Sequence, residues 1–296
     1  MEFHVWPSFY ETTKACTNAK GFPAVDDYYR VVREGPHFRN FPPEVQRQHD
    51  TEDRWYQAQR PYYSVYPSII EPLVRLRLDI DGGAVPAIPL PEFVVRFAKG
   101  HELRTGSGRT TGSLLLTEAT DEVFGRRLFI FTQFGETKAW LGHPLPDTTV
   151  VPVPLRAGIT LEAMIEQTAA TVPGFAEQQM ADVTTLLKLV CSLCLLGDDP
   201  EILEPDVKAK DRGKWERTRD PAIVERAVRG GKRGWLVGAK IEVLPHVRRP
   251  HMALRWTGPG GATPRIVPVK GSIVHREIVE RLPTGRLDAE TKPNQE

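Results

Sequence analysis

Between Glu71 and Val153 the chain alternates apolar and polar residues in short runs, a pattern that predicts β-strands. LVRLRLDI, residues 73–80, alternates as a half-buried strand should. EFVVRFA, GSLLLTEA, RRLFIFTQF and TTVVPVPL follow, each bounded by Gly, Pro or Asp. DIDGG and TGSGRTTGS read as turns between them. From Thr160 the period lengthens to that of a helix. LEAMIEQTAATV places Leu161, Met164, Ile165 and Ala169 on one face, with Thr160 as its N-cap and Pro173-Gly174 as its end. The next segment carries a broad apolar stripe through Met180, Val183, Leu186, Leu187, Val190, Cys191, Cys194 and Leu195, and stops at Gly197.

The first seventy residues are rich in aromatics and proline without a strict period. They predict an irregular region packed against the body, with one helix in PPEVQRQHDTEDRWYQAQ that has Pro43 in its first turn. After Pro200 the pattern changes again. EPDVKAKDRGKWERTRD is charged and poor in large apolar residues, and reads as a linker or a surface loop. PAIVERAVRGGKRG reads as a short helix ending at Gly230-Gly231. WLVGAKIEVL, HMALRW, PRIVPVKG and SIVHREIV read as short strands, with the loop TGPGGATP between two of them. The expected fold class is α+β. A mixed body with two core helices would span residues 1–200. A small β-rich module would follow over 201–296, with a linker at about 201–220 and a frayed end at about 287–296.

Charge sharpens this division. The whole chain has a formal charge of +1, yet Val207 to Arg286 holds 19 Lys+Arg against 7 Asp+Glu, a net of +12. A basic module on an acidic body points to an anionic partner, nucleic acid first, or to complementarity within the molecule or between subunits. No apolar run approaches the ~20 residues of a membrane span. The opening residues show no signal-peptide pattern, and the three cysteines fit a reducing, cytoplasmic setting.

Three features invite chemistry. TGSGRTTGS lacks the Lys-Ser/Thr ending of a phosphate loop and reads as a glycine-rich hairpin tip. Cys191 and Cys194 have the Cys-x-x-Cys spacing of zinc or redox sites but lie in an apolar helix with no second ligand pair, which favours a core role. The densest cluster is PHVRRPHMALRWTG, residues 245–258. His246 and His251 could act as an acid–base pair for RNA cleavage, with arginine stabilising the phosphorane-like charge. As a metal site, the pair would need further ligands beside opposing arginines. His246, Arg248, Arg249, His251, Arg255, Arg265 and Lys270 could bind phosphate, with Trp256 stacking a base. The same residues could also tie irregular loops together. These readings stay open on the residues alone; no metal or cofactor is expected.

The order of elements over residues 150–276 adds a resemblance. The helical segment, the charged stretch, GKRGWLVGAKIEV and PHVRRPHMALRWTGPG…PRIVPVKGSIVHRE resemble the family of the translation-coupled type V-A anti-CRISPR protein, found in plasmids, phages and bacterial chromosomes. The most specific part comprises His246, Arg248, Arg249, His251, Trp256, Gly258, Gly260 and Arg265. The resemblance implies a protein that binds a target polypeptide, nascent on the ribosome, and promotes loss of its mRNA. The basic module would then face RNA or ribosome. The alternatives are a metal-independent ribonuclease using His246 and His251, and a non-catalytic structural or assembly protein.

Overall fold

The computed structural model describes residues 1–17, 21–78, 90–121, 125–140, 143–154, 160–171, 177–196, 203–207, 209–218, 233–239, 246–248, 251–257, 263–269, 272–274 and 285–287. The chain runs through α1 (Phe9–Thr17), α2 (Val25–Glu34), α3 (Pro43–Gln57), β1 (Tyr62–Val65), α4 (Pro67–Arg75), β2 (Leu76–Leu78) and β3 (Glu92–Phe97). A small hairpin, β4 (Leu103–Arg104) and β5 (Thr110–Thr111), leads into the long strands β6 (Ser113–Asp121), β7 (Gly125–Trp140) and β8 (His143–Pro154). Helices α5 (Leu161–Thr171) and α6 (Glu177–Leu196) follow, then β9 (Leu203–Pro205), α7 (Ala209–Thr218) and β10 (Gly234–Val237). The last elements are β11 (His246–Arg248), β12 (His251–Thr257), β13 (Thr263–Val269), β14 (Ser272–Val274) and β15 (Gly285–Leu287).

The architecture is α+β around one seven-stranded mixed sheet, ordered β8-β7-β6-β3-β1-β10-β9. Strand β1 pairs in parallel with both β3 and β10, and the other neighbours are antiparallel. The sheet therefore takes strands from both sides of residue 200. Both of its faces are apolar, because alternate residues of each central strand go to opposite sides. Tyr63, Val65, Phe93, Val95, Phe97, Leu114, Leu116, Leu128 and Ile130 share one core with Ile69 and Leu73 of α4, Met164 and Ile165 of α5, and the apolar stripe of α6. Tyr62, Val94, Leu115, Phe129 and Phe131 form the second core with Trp6 and with Trp55 of α3. Burial on both faces explains why FVV and LLL run unbroken where a one-sided strand would alternate.

Most expected elements are present. Thr160 caps α5, its Oγ1 accepting the Ala163 N–H at 3.2 Å. Cys191 is buried in α6, and burial pushes its thiol up to about 12, as befits a core residue. Three expectations change. Leu73 to Arg75, read as strand, end α4 instead, because Ile69 and Leu73 at helical spacing both enter the core. The N-terminal region is helical, its aromatics distributed over α1, α2 and α3. The charged stretch after residue 200 supplies β9 and α7. The segment read as a helix at 221–231 lies outside the described residues, as do 258–262 of the loop read at 257–264, whose Thr257, Thr263 and Pro264 belong to β12 and β13.

The TGSGRTTGS tip is a hairpin clamped to α6. The Ser107 N–H donates to Asp182 Oδ1 at 2.9 Å, and Arg109 Nε and Nη2 donate to Oδ2 at 3.0 and 2.6 Å. Burial opposes charge on Asp182, but these bonds and that of Thr105 outweigh it and hold the carboxyl below its usual range. The loop's donors are thus spent on an internal carboxylate. Gly106 permits the approach, since a Cβ there would lie 2.7 Å from Ala181.

The edge strand β8 carries prolines at 144, 146, 152 and 154, each across from a residue of β7. A second close approach occurs at Gly234 of β10, directly across from Tyr62, where a Cβ would fall 2.0 Å from the phenol ring. Gly234→Ala is expected to destabilise the protein by about 1–3 kcal/mol through overpacking, read as a lower urea midpoint with unchanged m.

Candidate functional site

The N-terminal layer is organised by a buried carboxylate. Glu52 lies on α3 with 0% exposure. Trp6 Nε1 and Gln48 Nε2 donate to its Oε1 at 2.9 and 3.0 Å. The Phe9 N–H and the Tyr29 hydroxyl donate to its Oε2 at 2.8 and 2.9 Å. Burial raises the Glu52 carboxyl to about 7, and the four donors keep it from rising further. One side chain thereby holds α1, α2 and the segment before α1 to α3. One turn earlier on α3, His49 is buried among the rings of Phe9, Tyr29 and Phe38, and neither ring nitrogen has a hydrogen-bond partner. Burial lowers it to about 4, with Asp50 pulling the other way. Neither residue stands out in the sequence, where both belong to a polar-looking helix; the surrounding aromatics were the only signal.

A second polar cluster lies on the same face of the sheet. The Arg96 guanidinium stacks 3.6 Å over the Tyr62 ring, and its Nε donates to Ser64 Oγ at 2.6 Å. Its Nη2 lies 3.5 Å from Asp206 Oδ2, which also accepts the Tyr62 hydroxyl at 2.5 Å. Phe3 covers the guanidinium from another side at 5.5 Å. These groups satisfy one another, so the cluster acts as a strut between β1, β3 and the end of β9. Among the described residues, no group of three or more His, Cys, Asp and Glu converges to hold a metal.

The residues singled out from sequence occupy two antiparallel ribbons. His246 and Arg248 lie on β11, across from Val274 and Ser272 of β14. His251, Arg255 and Trp256 lie on β12, across from Val269, Arg265 and Pro264 of β13. Ladder positions alternate between faces, so positions 251, 255 and 265 share one face of their ribbon and 256 belongs to the other. The fold thus brings Arg255 and Arg265 to directly opposed positions and sets the two histidines on different ladders. Arg249 and Lys270 lie outside the described residues, as do Gly258 and Gly260.

The chain is similar to the crystal structure of AcrVA2. The likeness covers 90% of this chain and 91% of that one, at 16% identity and a TM-score of 0.41. No family model matches the chain. No curated protein matches it. No helix among the described residues is long and apolar enough to cross a membrane.

Glu52 and His49 should leave opposed marks on the pH dependence of stability. A carboxyl raised to about 7 from 4.5 stabilises fully below pH 4.5, and that contribution is lost as pH rises through 7. A histidine lowered to about 4 from 6.5 contributes fully above pH 6.5, and loses it as pH falls through 4. Between pH 4.5 and 6.5 the two slopes oppose each other. Relative to the unmodified chain, Glu52→Gln should therefore tilt stability upward with pH, and His49→Phe should tilt it downward. Urea midpoints across this range read both. Glu52→Gln should also cost about 1–3 kcal/mol, because an amide turns donors toward donors.

Proposed function

We propose that the chain is an AcrVA2-like anti-CRISPR-type regulator that binds a target polypeptide on the translating ribosome and promotes loss of its mRNA. The observation that carries this reading is the motif series His246, Arg248, Arg249, His251, Trp256 and Arg265, in the order that resembles the translation-coupled anti-CRISPR family. Two further observations support it. The net charge of +12 over Val207 to Arg286 suits a segment that meets RNA or ribosome. The opposition of Arg255 and Arg265 in one ladder concentrates like charge, which a phosphate would relieve. In this reading His246, Arg248, Arg249, His251, Arg255, Arg265 and Lys270 contact phosphate, and Trp256 stacks a base. The site of action is the cytoplasm.

In a translating extract the protein should sediment with ribosomes, and puromycin, which releases nascent chains, should free it. Arg248→Ala/Arg249→Ala should weaken RNA association and make it less steeply dependent on salt. Persistence after puromycin would assign the contact to ribosome or RNA alone. Cleavage of RNA by the pure protein, abolished by His246→Ala or His251→Ala, would turn the reading to a ribonuclease. Absence from both ribosomes and RNA would overturn it.

A further inference from the structure

Helix α7 carries Lys210, Lys214 and Arg217 at i, i+4 and i+7, the spacing that aligns residues along one helical face. All three are exposed. Among the described residues none of them makes an ion pair. The body treats its cations differently: Arg30 pairs with Asp27, Arg33 with Asp53, Arg54 with Glu92, Arg109 with Asp182 and Arg126 with Glu118. The residues just before the helix are anchored to the sheet. Val207, just before it, is buried, Asp206 is bonded to Tyr62, and the Asp206 N–H donates to the Gly234 carbonyl at 2.7 Å. Preceding β9 and following β10 are neighbours in the sheet.

We infer that this face of α7 is a docking surface for the phosphate backbone of single-stranded RNA. The inference rests on the RNA-facing reading above and adds a second contact to it, distinct from the His/Arg ribbons. From Lys210 to Arg217 the helix rises about 10.5 Å. With one phosphate for each cation, the face can neutralise up to about three phosphates. Two of the cations are lysines, point charges that neutralise phosphate without reading bases, so the contact is independent of sequence. Asp211 is the acidic residue of the first turn, where it complements the helix dipole.

The test is binding of a labelled single-stranded RNA oligonucleotide to the full chain between about 50 and 200 mM salt. Lys210→Gln/Lys214→Gln/Arg217→Gln should lower affinity by ~10–100-fold near 0.1 M and flatten the log–log salt slope by up to ~2, at ~0.7 per phosphate lost. Lys210→Arg/Lys214→Arg should restore both, and melting temperatures should match throughout. If the neutralised variant keeps the affinity and slope while Arg248→Ala/Arg249→Ala loses them, the α7 surface is refuted and the ribbon reading stands. If the unmodified chain binds no RNA, the RNA-facing reading falls and this inference with it. If neutralising α7 changes self-association in sedimentation but leaves RNA affinity intact, the stripe answers the acidic body of a second copy, and the inference is overturned.

Discussion

The central sheet is apolar on both faces, and this constraint governs the rest of the molecule. Such a sheet is stable only when both faces are covered. Helices α4, α5 and α6 cover one through a conventional apolar interface. The other is covered by a layer with few aliphatic residues, so aromatic rings and buried polar groups take their place. Glu52 is the pin of that layer. Its carboxylate gathers donors from the segment before α1, from α1, from α2 and from α3 itself. Burial favours the neutral acid up to about pH 7, and the four donors are what make the charged form tolerable above it.

The hydrophobic pattern made the strands and the two core helices legible, because LEAMIEQTAATV and the α6 stripe carry a strong period and FVV and LLL bury on both sides. It misread Leu73 to Arg75, where alternation over a few residues coincides with helical spacing from Ile69. The linker-like stretch illustrates a different limit. Composition reports charge, whereas Glu204 and Asp206 are buried in spite of theirs, and Asp206 pairs with Tyr62, 144 positions earlier. Long-range partners of this kind leave no local signal. The same holds for His49, Arg96 and Asp182.

The site residues read from sequence divide in the structure by element. His246 and Arg248 belong to one ribbon, His251, Arg255, Trp256 and Arg265 to another. A motif that is dense along the chain is thus spread over two ladders, and spacing alone cannot show that 255 and 265 are opposed. Register is set by pairing across a loop. The basic character of the segment, in contrast, was visible from counting, and α7 shows where part of that charge is displayed.

The prolines of β8 have a further consequence. A strand residue without an N–H fits only where that group would point away from the neighbour, so positions 144, 146, 152 and 154 define the outward row of β8. Four of the six outward positions between 144 and 154 therefore offer no donor, leaving Thr148 and Val150. An incoming extended peptide needs a continuous ladder to add itself to a sheet. This margin denies it one, just as it denies it to another copy of the chain. Strand addition along β8 is therefore disfavoured for any extended peptide.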